Sequence, residues 1–410
     1  AWAKTGFGRL VPLTLLLSTE MVGGDAVELD PCMVRRFFAN HYFGGGLGNP
    51  WQVPPIMATR DWRAIVAQCE PEAGLAQQAE VKVWPEGGYG LLRSHQAGAT
   101  QTAQRPPDEG GIVGRYEQAD DTTLAISALP NRNPHTELDF GSIIWAAYGE
   151  RLLWDMGYGT IAGGHKRYDT QPVRAPDNNP TGHNTLVIPE ATHPVADNPE
   201  STNVSQINGE TGRIERRVLG GTAFVEVDGS NVYGANDAVL GGIRGPGVDQ
   251  DWYQPPRWLQ GFKRAIIPIP GGDFILADMF RVRNDQGAAA VEEYWHVRQQ
   301  VDPLPAEACE YWHDHVDLDR VAADTIMLRP RCNTLLKGTG HAAESVGRIT
   351  GASMRPGAFV VADAQISFTN QINGTDIFRR ARWVPSEAVS DDVRVFLLSA
   401  APSEELLVET

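Results

Sequence analysis

From Val81 onward the chain breaks into short apolar runs, each soon ended by Gly, Pro, Asn or Asp. The runs cover residues 88–93, 122–127, 142–148, 183–188, 213–218, 222–227, 262–269 and 274–282. Segments of this length, rich in apolar and β-branched residues and fenced by turn formers, are strands. Their close succession predicts antiparallel sheets stacked face to face. The 43 glycines and 28 prolines in 410 residues fit a fold of many turns and few long helices. Before residue 78 the pattern differs. Residues 10–21, 31–40 and 59–69 have helical length and spacing, with Gly44-Gly45-Gly46 and Asn49-Pro50-Trp51 as breaks. The expected fold is mainly β: a short helical N-terminal segment over 1–78, a large antiparallel β-sandwich over 79–300, and a smaller C-terminal β-sheet region over 301–410.

A net charge of −16 argues against general nucleic-acid binding and gives no support for an anionic membrane surface. It does not exclude an anionic polymer, because a local Arg and Lys cluster governs the field within a Debye length of about 10 Å. Cys32, Cys69, Cys309 and Cys332 show no C-x-x-C spacing, so zinc-ribbon and thioredoxin-like motifs are absent. They read as four buried thiols, with Cys32–Cys69 and Cys309–Cys332 pairing as the oxidised alternative. The apolar run 10–17 contains Pro12 and falls far short of the ~20 residues of a membrane helix. It reads as a buried helix, with a signal-peptide core as the other reading.

One stretch concentrates the polar chemistry. Residues 133–160 read NPHTELDFGSIIWAAYGERLLWDMGYGT; HKRYDT follows at 165–170 and GHNTLVIPEATH at 182–193. His135 stands two residues ahead of Glu137 and four ahead of Asp139, Asp155 closes an apolar run, and His183 opens another. Such a layout lets His, Asp and Glu side chains from neighbouring strands converge, as a metal or proton-transfer site requires.

In order and wording this stretch resembles the heparinase II/III-like polysaccharide lyases, whose pattern is roughly H-x-H-x-D, then L-L-x-D-x-G, then H-N-T. Pro85-Glu86-Gly87-Gly88-Tyr89 with Leu91-Leu92-Arg93 is similar to that family's entry into its sandwich. Gly271-Gly272, Ala277-Asp278-Met279-Phe280 and Tyr294-Trp295-His296 are similar to its later strands. The spacing from Lys166-Arg167-Tyr168 to His183 resembles the alginate-lyase branch in particular.

The resemblance implies cleavage of an anionic, uronic-acid polysaccharide by β-elimination. The proton on C5 beside a carboxylate is only weakly acidic. A site must therefore neutralise that carboxylate, supply a base, and supply an acid for the departing C4 oxygen. His135 is the expected catalytic histidine and Tyr168 the expected tyrosine at the leaving oxygen. Arg93, Arg132 and Arg167 are the expected carboxylate ligands, since a planar fork of donors suits that group. Trp145, Trp154, Trp295 and Trp312 can stack on sugars, though core packing is the expectation for most of them.

In the family a structural zinc is held by the second histidine of H-x-H, the Asp of L-L-x-D and the His of H-N-T. Here the second and third match as Asp155 and His183, while Glu137 stands in the first place. Glu137, Asp155 and His183 still make a reasonable set for a divalent metal, zinc first; a Glu137 salt bridge without metal is the alternative. The family also carries a large α/α toroid ahead of the sandwich, of which segment 1–78 would be the end. The expectation is therefore that the chain is part of a longer or processed enzyme, that a helical partner chain completes the cleft, or that this half has been lost. A periplasmic or secreted location follows from the resemblance. Two other functions remain open: a non-catalytic carbohydrate-binding or scaffolding subunit on this fold, and a hydrolase with a carboxylate pair such as Glu137 and Asp139 or Glu292 and Glu293.

Overall fold

The computed structural model describes residues 79–95, 121–129, 138–147, 150–155, 159–160, 180–191, 203, 205–206, 212–233, 258–269, 271–299, 316–331, 346–362, 366–370 and 374–401. The expected helical segment over 1–78 and all four cysteines lie outside these residues. Among the described residues the fold is β throughout, apart from a single 3-10 turn at Pro180–Gly182.

A five-stranded meander comes first: β1 (Glu80–Trp84), β2 (Tyr89–His95), β3 (Asp121–Ser127), β4 (Ile143–Ala147) and β5 (Glu150–Leu153), paired in chain order. Two further sheets are built from β6 (Gly159–Thr160), β7 (Leu186–Val187), β8 (Arg213–Leu219), β9 (Thr222–Asp228), β10 (Leu259–Ile269), β11 (Asp273–Val282), β12 (Glu292–Arg298), β13 (Val316–Ala322), β14 (Thr325–Pro330), β15 (Val346–Ser353), β16 (Gly357–Val361), β17 (Ile366–Asn370), β18 (Gly374–Pro385) and β19 (Asp391–Ala401). The eight-stranded sheet runs β13-β14-β15-β19-β11-β10-β9-β8. The six-stranded sheet runs β6-β17-β18-β12-β7, with β16 also on β18. All pairings are antiparallel.

Strands from both sides of residue 300 share the two larger sheets, since β19 pairs with β11 and β18 with β12. The strands expected to form a separate, smaller C-terminal sheet are thus woven into the same sheets. Strand-level patterning finds the strands but not their neighbours, because partners here are about 80 to 120 residues apart.

Local chemistry sets the turns and the inward faces. Gly220 and Gly221, at φ 58° and 88°, make the two-residue link between β8 and β9; two consecutive positive φ values suit glycine and give the twist a tight hairpin needs. Along β10 and β11 burial alternates with period two, which turns Phe262, Ile266, Phe274 and Leu276 inward. The eight- and six-stranded sheets lock through aromatic edges: Phe396 meets Trp295 at 5.0 Å and Trp383 at 5.7 Å, both T-shaped. Each such fully buried side chain contributes about 1.5–3 kcal/mol of transfer free energy. Trp145 of the meander joins the same core, so Trp145 and Trp295 are packing residues, as expected.

Candidate functional site

The site grows from the ends of strands. Leu152 and Leu153 anchor β5 in the core, and the chain leaves the strand at Trp154 and Asp155, both buried. The 3-10 turn closes on His183, whose amide donates to the Pro180 carbonyl at 3.2 Å. The turn places His183 Nδ1 2.9 Å from Asp155 Oδ2, and Ser142 Oγ donates to that same oxygen at 2.7 Å. Burial alone would raise the Asp155 carboxyl, but the His183 ring beside it holds it well below the usual carboxylate range. Asp139 faces the same region in the opposite state. Burial pushes its carboxyl up and the Asp155 charge adds to this, against the pull of His183. Ser127, Asp139, Ser142 and Asp155 give a small cavity its polar lining.

The two residues after His183 tie the site to the sheets. Asn184 Nδ2 donates to the carbonyls of Ile143 at 2.7 Å and Trp154 at 2.8 Å, while its Oδ1 accepts the His296 amide at 2.6 Å. One side chain thereby joins β4, the exit of β5, and β12. Thr185 Oγ1 donates to the Phe140 carbonyl at 2.7 Å and lies 3.2 Å from the Tyr233 hydroxyl. Beneath them Arg264 of β10 is fully buried. Its Nε and Nη2 donate to the two oxygens of Asp278 at 2.8 and 2.7 Å, and Nη2 also reaches Glu293. Its Nη1 donates to the carbonyls of Gly141 and, at 3.1 Å, Asn184. Gly141 has φ 80°, and a side chain there would crowd Thr185 Oγ1 at 3.3 Å. The three ionisable groups share their charge unequally. Burial raises Glu293 well above the usual range, with the neighbouring Asp278 adding to the effect against the pull of Arg264. The guanidinium thus contacts both carboxyls, Asp278 through two of its nitrogens and Glu293 through one.

The opposite face of β12 is also polar. Glu292, Tyr294, His296 and Arg298 alternate along it with Glu293, Trp295 and Val297, which face the eight-stranded sheet. Across the ladder His296 is opposite Arg380 and Tyr294 opposite Arg382. The Arg380 guanidinium lies 4.6 Å from the centre of the Tyr294 ring, and Arg382 Nη1 donates to Glu292 at 3.1 Å. Burial pushes the Tyr294 phenol up to about 12. Arg151 and Arg298 lie over Trp154 at 4.6 and 5.3 Å, so that indole is a cation–π platform rather than core.

Of the residues expected from the sequence, Asp155 and His183 are brought together. Arg93 is elsewhere: on β2, at 3.5 Å from Glu80, with β3 lying between it and β4. His135, Glu137, Arg132, Arg167, Tyr168 and Trp312 lie outside the described residues. No cluster of three His, Cys, Asp or Glu suited to a metal occurs among the described residues. Glu292 and Glu293 leave opposite faces of β12, one to Arg382 and the other to Arg264. They do not flank one space, and the hydrolase pairing of these two is corrected accordingly. Sequence reading missed Asn184, Arg264, His296 and Arg380. Arg264 had a readable sign, a lone charge at an inward position of an otherwise apolar strand.

No protein-family model and no curated protein sequence matches the chain. Solved structures do resemble it in fold. The crystal structure of heparinase III is similar over 79% of this chain and 37% of its own, at 13% identity and TM-score 0.47. A heparan sulfate lyase from Pedobacter heparinus is similar over 84% of this chain and 39% of its own, at 10% identity and TM-score 0.47. The chain thus spans less than two-fifths of the length of these structures. Likeness at this level assigns neither substrate nor reaction.

Proposed function

We propose that this chain is a polysaccharide lyase that cleaves a uronic-acid polysaccharide, alginate or a related polyuronide, by β-elimination. The observation that carries the reading is the meeting of its motif segments in three dimensions. The L-L-x-D exit, the H-N-T turn and the Y-W-H strand are far apart in the chain, yet they share Asp155, His183, Asn184 and His296 in one hydrogen-bonded cluster. Motif residues kept only for packing would not need a buried imidazole–carboxylate pair at their junction.

In this reading His135 and Tyr168 supply the acid and base functions, and the uronate carboxylate is neutralised by guanidinium forks. Arg132 and Arg167 take that part; Arg93 would have to leave Glu80 to join them. A structural divalent cation, zinc first, is proposed at Glu137, Asp155 and His183. The donor types suit it: the buried His183 imidazole and Asp155 carboxylate lie side by side, and zinc takes nitrogen and oxygen ligands of this kind. Such an ion would cross-link the strands below the cleft and take no part in the elimination. A helical domain, on the same or a partner chain, would supply the other wall.

The test is ultraviolet absorbance of the folded protein mixed with alginate, polyglucuronate, hyaluronan and heparan-type polymers. Rising absorbance from an unsaturated uronate is expected with at least one polymer, and Tyr168→Phe should abolish it. Absorbance that stays flat with every polymer, including after addition of a helical partner domain, sinks the reading.

A further inference from the structure

The two edges of the eight-stranded sheet are built differently. At one edge β13 has a register shift between Arg320 and Ala322, and a bulge of this kind turns an edge away from further pairing. At the other edge β8 runs straight. Its seven residues pair with β9 without interruption, from Arg213 opposite Asp228 to Leu219 opposite Thr222, and β9 is its one ladder partner among the described residues. Leu219 and Thr222 flank a two-residue hairpin link, so they exchange backbone hydrogen bonds, and the ladder alternates from there. The backbone groups of Arg213, Glu215, Arg217 and Leu219 therefore point to β9, and those of Ile214, Arg216 and Val218 point out of the sheet edge. Ile214 is buried, but the far end of the strand is open to solvent: Val218 is 58% and Leu219 76% exposed.

The side chains of this edge complement themselves. β8 reads Arg-Ile-Glu-Arg-Arg-Val-Leu. Laid antiparallel on a second copy about Arg216, it sets Glu215 against Arg217 and Ile214 against Val218, each pair twice, with Arg213 against Leu219. Ile214, Arg216 and Val218 then meet only one another, so the outward backbone groups of the two copies pair in phase. A two-fold axis normal to the sheet keeps both inner faces on one side, and the exposed Val218 of one copy extends the buried row at Ile214 of the other. Within its own strand Glu215 lies against Arg213 and, at 2.7 Å, Arg217, and the facing copy's Arg217 joins that group. Arg216 against itself is the one like-charged pair. The adjacent registers are worse: one sets Glu215 against Glu215 and Arg213 against Arg217, and the other sets Arg217 against itself with no opposite charges anywhere. We propose that β8 is a self-association edge, along which a second copy of this chain pairs antiparallel and joins two eight-stranded sheets into one continuous sheet. The edge stands apart from the lyase reading and does not depend on it.

Sedimentation equilibrium of the full chain tests the edge. One short strand makes a small interface of the transient class, so the average mass should climb from one chain toward two, with a dissociation constant between about 1 µM and 1 mM. Arg216→Pro removes an outward N–H without touching the β8–β9 ladder, and should return the protein to the mass of one chain. Glu215→Arg and Arg217→Glu each place like charges at both cross-copy positions, and each alone should weaken association about tenfold or more. An equimolar mixture of those two variants restores opposite charges at both positions, so mixed pairs should form with nearly the wild-type constant. A contact through any other surface gives no such rescue, and the mixture decides the matter where Arg216→Pro does not fold. Wild-type protein that keeps the mass of one chain up to about 1 mM overturns the edge. So does a dimer that persists in folded Arg216→Pro, or a mixture no more associated than its components.

Discussion

Replacing Arg264 by Met tests whether one buried guanidinium holds the two larger sheets and the site turns together. The substitution keeps most of the side-chain volume but removes every donor. It strands ionised Asp278 in a fully buried position and leaves the Gly141 and Asn184 carbonyls without a partner. Breaking a buried ion pair by removing one member costs about 3–5 kcal/mol. Two orphaned carbonyls add about 1 kcal/mol each at the low end of the range for buried unsatisfied groups. The expected loss is therefore about 5–7 kcal/mol. At about 2 °C per kcal/mol for a large domain, the melting temperature should fall by about 10–14 °C. Calorimetric melts and urea titrations read this directly. A second substitution separates the causes: with Asp278→Asn added to Arg264→Met, no uncompensated charge is left and roughly half of the loss should return. A single-variant loss below about 1 kcal/mol would refute the reasoning, as would further destabilisation by Asp278→Asn in that background.

Three further outcomes are expected. Glu293 has a raised folded-state value because it is buried beside Asp278. Its contribution is therefore complete below the unfolded value of about 4.3 and is lost as pH rises through the folded value. Glu293→Gln should leave stability near pH 5 almost unchanged and flatten its decline above that; a decline of unchanged slope in melts across pH would count against a raised Glu293 carboxyl. Asn184→Ala removes the donor to two buried carbonyls and the acceptor for the His296 amide, a loss of about 2–5 kcal/mol in urea titration; a change under 1 kcal/mol would show that the junction does not depend on this side chain. Chelation should lower the melting temperature of the wild type by several degrees and that of His183→Gln by far less, with zinc restoring the former. Equal shifts in the two proteins would sink the cation site.

Much of this molecule is written locally. Period-two burial along β10 and β11, the Gly220-Gly221 turn and the apolar run ahead of Asp155 are decided by residues within a few positions of one another, so patterning alone locates those strands. The pairing of Asp155 with His183 was also legible, through the spelling of the L-L-x-D and H-N-T segments rather than through any periodicity. Tertiary structure decided which strands became neighbours. The ladders β11–β19 and β12–β18 join residues about a hundred positions apart, and no local preference encodes such a partner. It also decided which charges would be buried and in what state. Arg264, Asp278 and Glu293 look in the sequence like solvated residues on strands, until two sheet faces close over them and set the Arg264 guanidinium between two buried carboxyls. His296 reads as one more strand residue. Only the fold sets its Nδ1 against an Asn184 amide oxygen that is already oriented. Strands follow from the nearest neighbours in the chain, whereas protonation states and sites follow from groups that meet only after the sheets have packed.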